Sequence, residues 1–190
     1  QKTAYEISLG LVGSEMCIRD RTKFDGVISR FGVMFFSDPI KAFTNIHNAM
    51  KGHASLTFIC WPSRKENEYF YNMTEAVLKH TGKEYTDTGT EPGPMAFSDN
   101  DYVESILSSA GFANVSIETV KTRLSAKMTP EFDAGLHMEY GPSSILIRDA
   151  QPDETMKQKI YEELLSVCKS HQEGEYVSHD AAINIVSANA

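Results

Sequence analysis

The stretch that most constrains this chain is Phe24 to Pro39, FDGVISRFGVMFFSDP, because it holds a strand, a loop and a helix start in close succession. Val27 and Ile28 are adjacent β-branched residues, as in a short strand buried on both faces. Asp38-Pro39 supplies a helix N-cap and first residue. The carboxylate can accept an orphan amide, and proline lacks an N–H where the helix has no acceptor for one. From Pro39, Ile40, Phe43, Ile46, Ala49 and Met50 predict a helix to about Met50, which Lys51-Gly52 ends before a second apolar run, Ser55 to Trp61. Strand, helix and strand of this kind form a βαβ unit, so the two strands lie parallel and the class is α/β.

Downstream, Pro62-Ser63 opens a helix from about Arg64 to His80, with Tyr69, Phe70, Met73, Val77 and Leu78 at near-helical spacing. Residues 81–97 carry Gly82, Gly89, Pro92, Gly93 and Pro94 and few aliphatics, the composition of a long loop, and long ordered loops are often functional. Ser98 with Asp101 resembles a capping box for a helix that turns Tyr102, Val103, Ile106, Leu107 and Ala110 inward, and Gly111 ends it. A strand follows at Val115 to Leu124. Thr129-Pro130 opens a helix to about Glu139, Gly141-Pro142 breaks it, and Ser144 to Arg148 begins a short second one. Asp153 caps a long helix to about Ser170, with Met156, Ile160, Leu164, Val167 and Cys168 on its apolar face. Gly174 ends that connection, and Ala181 to Ala188 is the closing strand.

Phe24 to Trp61 resembles the fourth strand, following helix and fifth strand of class I S-adenosylmethionine-dependent methyltransferases, in the subgroup with ISRFGVMFF after the fourth strand and CW at the end of the fifth. Pro92 to Ser98, the helix ending Ala110-Gly111-Phe112, Val115 to Glu118 and Ala181 to Ala188 extend the resemblance over most of Thr22 to Ala190. It implies a truncated Rossmann-like methyltransferase sheet of strands four to seven with flanking helices. The seventh strand would run antiparallel between the fifth and sixth, and the insert of about residues 127–172 would form a helical lid over the acceptor. The glycine-rich turn and ribose-binding acid of the family's first half have no match here, so the resemblance covers a C-terminal half, expected to be inactive as a fragment.

Gln1 to Arg21 does not fit this picture. It resembles translated sequencing adapter: Gln1 to Ile7 can be read as CAG AAG ACG GCA TAC GAG AT, and Leu11 to Asp20 as CTC GTG GGC TCG GAG ATG TGT ATA AGA GAC. Ser8, Leu9 and Gly10 leave room for a sample index. As a signal or anchor the segment reads poorly, because Glu6, Glu15 and Asp20 interrupt a weakly apolar run. It is expected to be non-native and outside the fold.

Charge narrows the partners. The net charge of −8 lies wholly in the remainder, since the first 21 residues balance three basic against three acidic side chains. An acidic surface is a poor match to phosphate backbones, so nucleic acid is not expected. No apolar run approaches the ~18 residues read as a membrane-spanning helix. Cys60 and Cys168 show no CxxC pairing, which fits a reducing compartment and a cytoplasmic location, and no metal-ligand spacing is visible.

Open α/β sheets bind ligands outside the carboxyl ends of their strands. The resemblance implies that Ser29, Arg30 and Phe31 contact S-adenosylmethionine, with Arg30 facing its carboxylate as a fork donor or, alternatively, making a surface ion pair. Phe31, Met34, Phe35 and Phe36 can wall a sulfonium cation or belong to the core. Trp61 is a candidate wall of a small-molecule acceptor site, with Met34 and Phe35 beside it. His137 on the lid is a candidate base for a hydroxyl acceptor, while His47, His53, His80, His171 and His179 read as surface or loop residues. Methyl transfer needs alignment and dryness more than acid or base, so no catalytic residue is required. Two other functions stay open: a non-enzymatic protein-binding module on a partial sheet, and a nucleotide-dependent oxidoreductase. The strand Phe24 to Ser29 is expected at a sheet edge, where self-association is possible.

Overall fold

The computed structural model describes residues 23–85 and 90–190; the adapter-like segment Gln1 to Arg21 lies outside the described residues. In chain order come β1 (Phe24–Arg30), a 3-10 turn (Val33–Phe35), α1 (Pro39–Ala49), β2 (Met50–Cys60) and a second 3-10 turn (Arg64–Glu66). Then follow α2 (Glu68–Thr81), α3 (Asn100–Ser109), β3 (Ala113–Lys127), α4 (Pro130–Glu139), α5 (Gly141–Ala150), α6 (Glu154–Ser170), the two-residue β4 (Gln172–Glu173) and β5 (Tyr176–Asn189).

The helix starts obey their caps. Asp38 accepts the Lys41 amide at 3.0 Å with Pro39 in the first turn, and Thr129 and Asp153 accept from Phe132 and Met156. Two starts differ from the sequence reading. α3 is capped by Asp99, which accepts the amides of Asp101 and Tyr102, and not by Ser98. The helix expected from Arg64 begins only at Glu68, because Ser63 caps a short 3-10 turn that gives way at Asn67.

The sheet order is β1-β2-β5-β3. β1 and β2 are parallel, from Gly26 opposite Ser55 to Arg30 opposite Ile59. β5 runs antiparallel to both neighbours, with Ile59 opposite Ile185 and Val120 opposite Ile183. The last strand is therefore inserted, reversed, between the second and third, as expected, and the architecture is a mixed α/β sheet with flanking helices.

Alternate residues Ala54, Leu56, Phe58 and Cys60 of β2 are buried, as a strand with one covered face requires. They meet Phe43 of α1, Val103, Ile106 and Leu107 of α3, and Ala96 and Phe97 of the preceding loop. Phe43 lies at the centre, its ring 5.5 Å from Phe58 and 5.8 Å edge-on from Phe36. The other face corrects the reading of β1 as buried on both sides. Gly26, Ile28 and Arg30 share that face with Ser55, Thr57 and Ile59, and Ile28 is 88% exposed. Among the described residues β1 is at the sheet edge, as expected.

A second core forms where α2, α4, α5 and α6 meet, from Met73, Ala76, Val77, Ala134, Ile147, Ile160, Leu164 and Cys168. It docks on the first half of β5, which extends past the end of β2: Cys60 is opposite Asn184, and residues 176–183 have no β2 partner. Side chains and a hairpin take over their backbone groups. Asn67 Oδ1 accepts the Ala182 amide at 3.0 Å, Glu68 Oε2 accepts that of Asp180 at 3.2 Å, and the His171 carbonyl accepts that of Ser178 at 3.0 Å. β5 thus starts at Tyr176 rather than Ala181, with the amides of Ser178, Asp180 and Ala182 satisfied without β2.

Candidate functional site

β1 and β2 are parallel neighbours and end together, so their carboxyl ends lie side by side. Ser29 and Arg30 are the last residues of β1, and the Phe31 amide continues the ladder to the Ile59 carbonyl at 3.1 Å. Phe31 then turns into the left-handed region, φ +56°. This conformation is costly for a bulky side chain and persists only where the surroundings fix it. What fixes it here is Trp61, just past the end of β2: the two rings stack with centroids 4.2 Å apart and planes at 16°. The following turn is tight, since a Cβ added to Gly32 would stand 3.3 Å from Ser29 Oγ.

The other sequence candidates separate. Met34 is 1% exposed and packs in the sheet core, its carbonyl accepting the Gly93 amide at 3.1 Å and so tying the turn to the 90–97 loop. Phe35 is 55% exposed. Arg30 is exposed and makes no ion pair among the described residues.

His137 is 4% exposed and lies in a buried polar cluster between α4 and β5. Its Nε2 is 3.7 Å from Asp133 Oδ1, one turn earlier on α4, and His179 Nε2 is 3.7 Å from Asp133 Oδ2. These separations exceed hydrogen-bond range, and Asp133 Oδ2, His137 Nε2 and both ring nitrogens of His179 are buried without a hydrogen-bond partner. Ser143 donates to the His137 carbonyl at 2.8 Å, and His171 stacks on His179 at 4.3 Å. Burial pushes the His137 imidazole down to about 4, so it is neutral at pH 7. Burial pushes Asp133 the other way, but contacts from His179 and His137 outweigh it and hold the carboxyl below its ordinary range. Burial, then the Asp133 charge, pushes the Tyr69 phenol up to about 12.

Aromatic contacts connect the strand ends and the cluster. Trp61 meets Phe70 edge-on at 5.2 Å, Phe70 meets Tyr69 at 5.3 Å, and Tyr69 touches the rings of His137 at 4.6 Å and His179 at 5.4 Å. The structure thus joins Phe31 and Trp61 directly and reaches His137 only through α2. His179, read as a surface or loop residue, is 2% exposed, as is Asp133. The Asp133–His137 pairing at i,i+4 was open to view in the sequence. His179 was not, because Tyr176-Val177-Ser178-His179-Asp180 lacks the apolar alternation of a strand.

No family model and no curated protein matches the chain. Among solved structures it is similar to a Bacillus halodurans C-125 protein assigned as a methyltransferase, with 14% identity, a TM-score of 0.43, and coverage of 90% of this chain and 66% of that one. It is also similar to phosphoethanolamine N-methyltransferase 2 of Haemonchus contortus, solved with S-adenosyl-L-methionine, at 16% identity and TM-score 0.36, covering 87% of this chain and 33% of that one. A third is the plantazolicin methyltransferase BamL with S-adenosylhomocysteine, at 9% identity and TM-score 0.37, covering 93% and 57%. The chain spans between one third and about two thirds of the length of these structures.

Proposed function

We propose that residues 22–190 are the C-terminal part of a class I S-adenosylmethionine-dependent methyltransferase domain, with residues of about 127–172 as a helical lid, acting on a small-molecule acceptor in the cytoplasm. The carrying observation is the Phe31–Trp61 stack, held by a left-handed Phe31 at the carboxyl ends of two adjacent parallel strands, where open α/β sheets take their ligands. S-adenosylmethionine, when bound, supplies a methyl group on a cationic sulfur. The residues present suit it: Arg30 has no ion-pair partner among the described residues and can fork onto a carboxylate, Ser29 offers a hydroxyl at the same strand end from the opposite face, and the partly buried Phe31–Trp61 pair offers aromatic surface to a cation. The chain's part in the transfer is alignment and exclusion of water, with Phe35 and Trp61 on the acceptor side. His137, the candidate base of the sequence, is buried behind α2 and takes no part in this reading. Two buried thiols without a disulfide, Cys60 and Cys168, support the reducing location.

Trp61 is the only tryptophan, so its fluorescence reports on these strand ends. Titration calorimetry with S-adenosylmethionine at micromolar protein is expected to be flat, because this part supplies few of the cofactor's contacts. At millimolar S-adenosylhomocysteine, Trp61 emission and the amide resonances of Ser29 to Phe31 should shift together, and Arg30→Ala should abolish the shifts. Saturable micromolar heat would remove the partial-domain reading, and millimolar shifts located away from Phe31 and Trp61 would remove the site.

A further inference from the structure

We infer that Arg64 is a positioning residue of the proposed site: it locks the turn after β2 to α2 and so keeps Trp61 stacked on Phe31. Arg64 is 6% exposed, an unusual place for a guanidinium. Its Nη1 donates to the Thr74 hydroxyl and, at 2.9 Å, to Glu75 Oε1, both on α2. The guanidinium also lies over two rings, 4.9 Å from the centroid of Tyr71 on α2 and 4.4 Å from that of Tyr85 beyond the helix end. The Thr74 hydroxyl passes the tie on, donating to the Phe70 carbonyl at 2.7 Å. The Phe70 ring in turn meets Trp61 edge-on. Trp61 is thereby held from α2 twice, by a ring at its edge and by the turn that follows it, while Phe31 covers its face.

Stability does not account for this arrangement. Burying a guanidinium costs free energy that its partners only partly offset, and Arg64 Nε has no hydrogen-bond partner among the described residues. Removing the side chain strands little: Glu75 is 45% exposed and stays hydrated, and Thr74 keeps its backbone acceptors. What a planar guanidinium supplies is direction. Its donors lie in the plane and its faces take the rings, so one orientation satisfies both sets of contacts and fixes the turn, which a flexible apolar side chain would not. The inference rests on the proposed site in taking Trp61 as part of it. Its test uses no cofactor, so a failure here and a failure of the methyltransferase reading come from different measurements.

The single tryptophan gives one indole resonance. In the full chain, Arg64→Met is expected to leave the melting temperature unchanged, to move that resonance toward its unfolded position and to raise acrylamide quenching of Trp61 severalfold, because the ring leaves its stack. Lys65→Met, which removes an exposed charge from the same turn, should alter neither signal. Arg64→Lys keeps the charge and loses the plane, so it should resemble Arg64→Met. An Arg64→Met protein with Trp61 unmoved overturns the inference, whatever its melting temperature. Equal release of Trp61 by Lys65→Met, or full restoration by Arg64→Lys, overturns it as well. If Arg64→Met does not fold, Glu75→Ala, at the half-exposed end of the pair, carries the test: partial release of Trp61 supports the inference, and an unmoved indole resonance overturns it.

Discussion

The two cores of this molecule are built differently. Under the sheet, α1, α3, β2 and β5 meet mainly through aromatic and aliphatic groups, centred on Phe43 and Phe58, with the buried Asn184 of β5 donating to Asn100 of α3 at the margin. Where the helices α2, α4, α5 and α6 dock on β5, an apolar cluster of comparable position is bordered by buried Asn67, Asp133, His137, Ser143, Ser178 and His179. The first core is held mainly by area and shape. The second also depends on protonation and on single hydrogen bonds, because burial leaves each polar group dependent on its few partners. The helical layer is thus the region whose attachment conditions can change.

The largest effect expected within this comparison is Phe43→Ala, which removes a ring of zero exposure from the middle of the apolar core and should cost about 3–5 kcal/mol. Urea unfolding at pH 7 and at pH 5 should return the same loss for this variant; a pH-dependent loss would mean the cores are not separable.

Next is acid itself. A folded His137 near 4, against 6.5 in the unfolded chain, means that the unfolded state binds more protons between those values. Stability is therefore complete above about pH 6.5 and declines toward pH 4, by an amount on the order of 3 kcal/mol. Asp133 adds a further loss as pH falls through its depressed range. His137→Gln should remove the upper part of this decline and leave the Asp133 part. An unaltered pH profile in that variant would take His137 out of the account.

A smaller change tests the hydrogen bonds that replace β2 beyond Cys60. Asn67 is fully buried and accepts the Ala182 amide, so Asn67→Ala should cost about 1–3 kcal/mol by leaving that amide unpaired. Amide exchange should quicken at Ala182 while Val186, in the other core, is unaffected; equal quickening at both would show one cooperative unit.

The smallest effect belongs to the surface. Lys51 and Asp25 are about half and mostly exposed, so Lys51→Ala should change stability by no more than about 0.5 kcal/mol in the same urea assay. A larger loss would show that this pair fixes the edge strand.

The same contrast decided how much could be read from the residues. Val27, the Asp38-Pro39 cap, the Phe43 helix face and the buried alternation of β2 are local patterns, and local geometry alone specifies them. The parallel β1–β2 pair and the reversed β5 followed from those patterns together with the family resemblance. Ile28 could not be read: an apolar β-branched residue looks the same in sequence whether a sheet face is covered or open, and only the arrangement of helices leaves it exposed. The left-handed Phe31 and its stack on Trp61 depend on two strands ending side by side. His179 and Asp133 come together across 46 residues because β5 outruns β2 and α4 packs over the extension. Sequence determined the elements and the apolar core, since periodicity and caps act within a few residues. Tertiary structure alone decided which polar side chains were buried, because burial depends on what arrives from elsewhere in the chain.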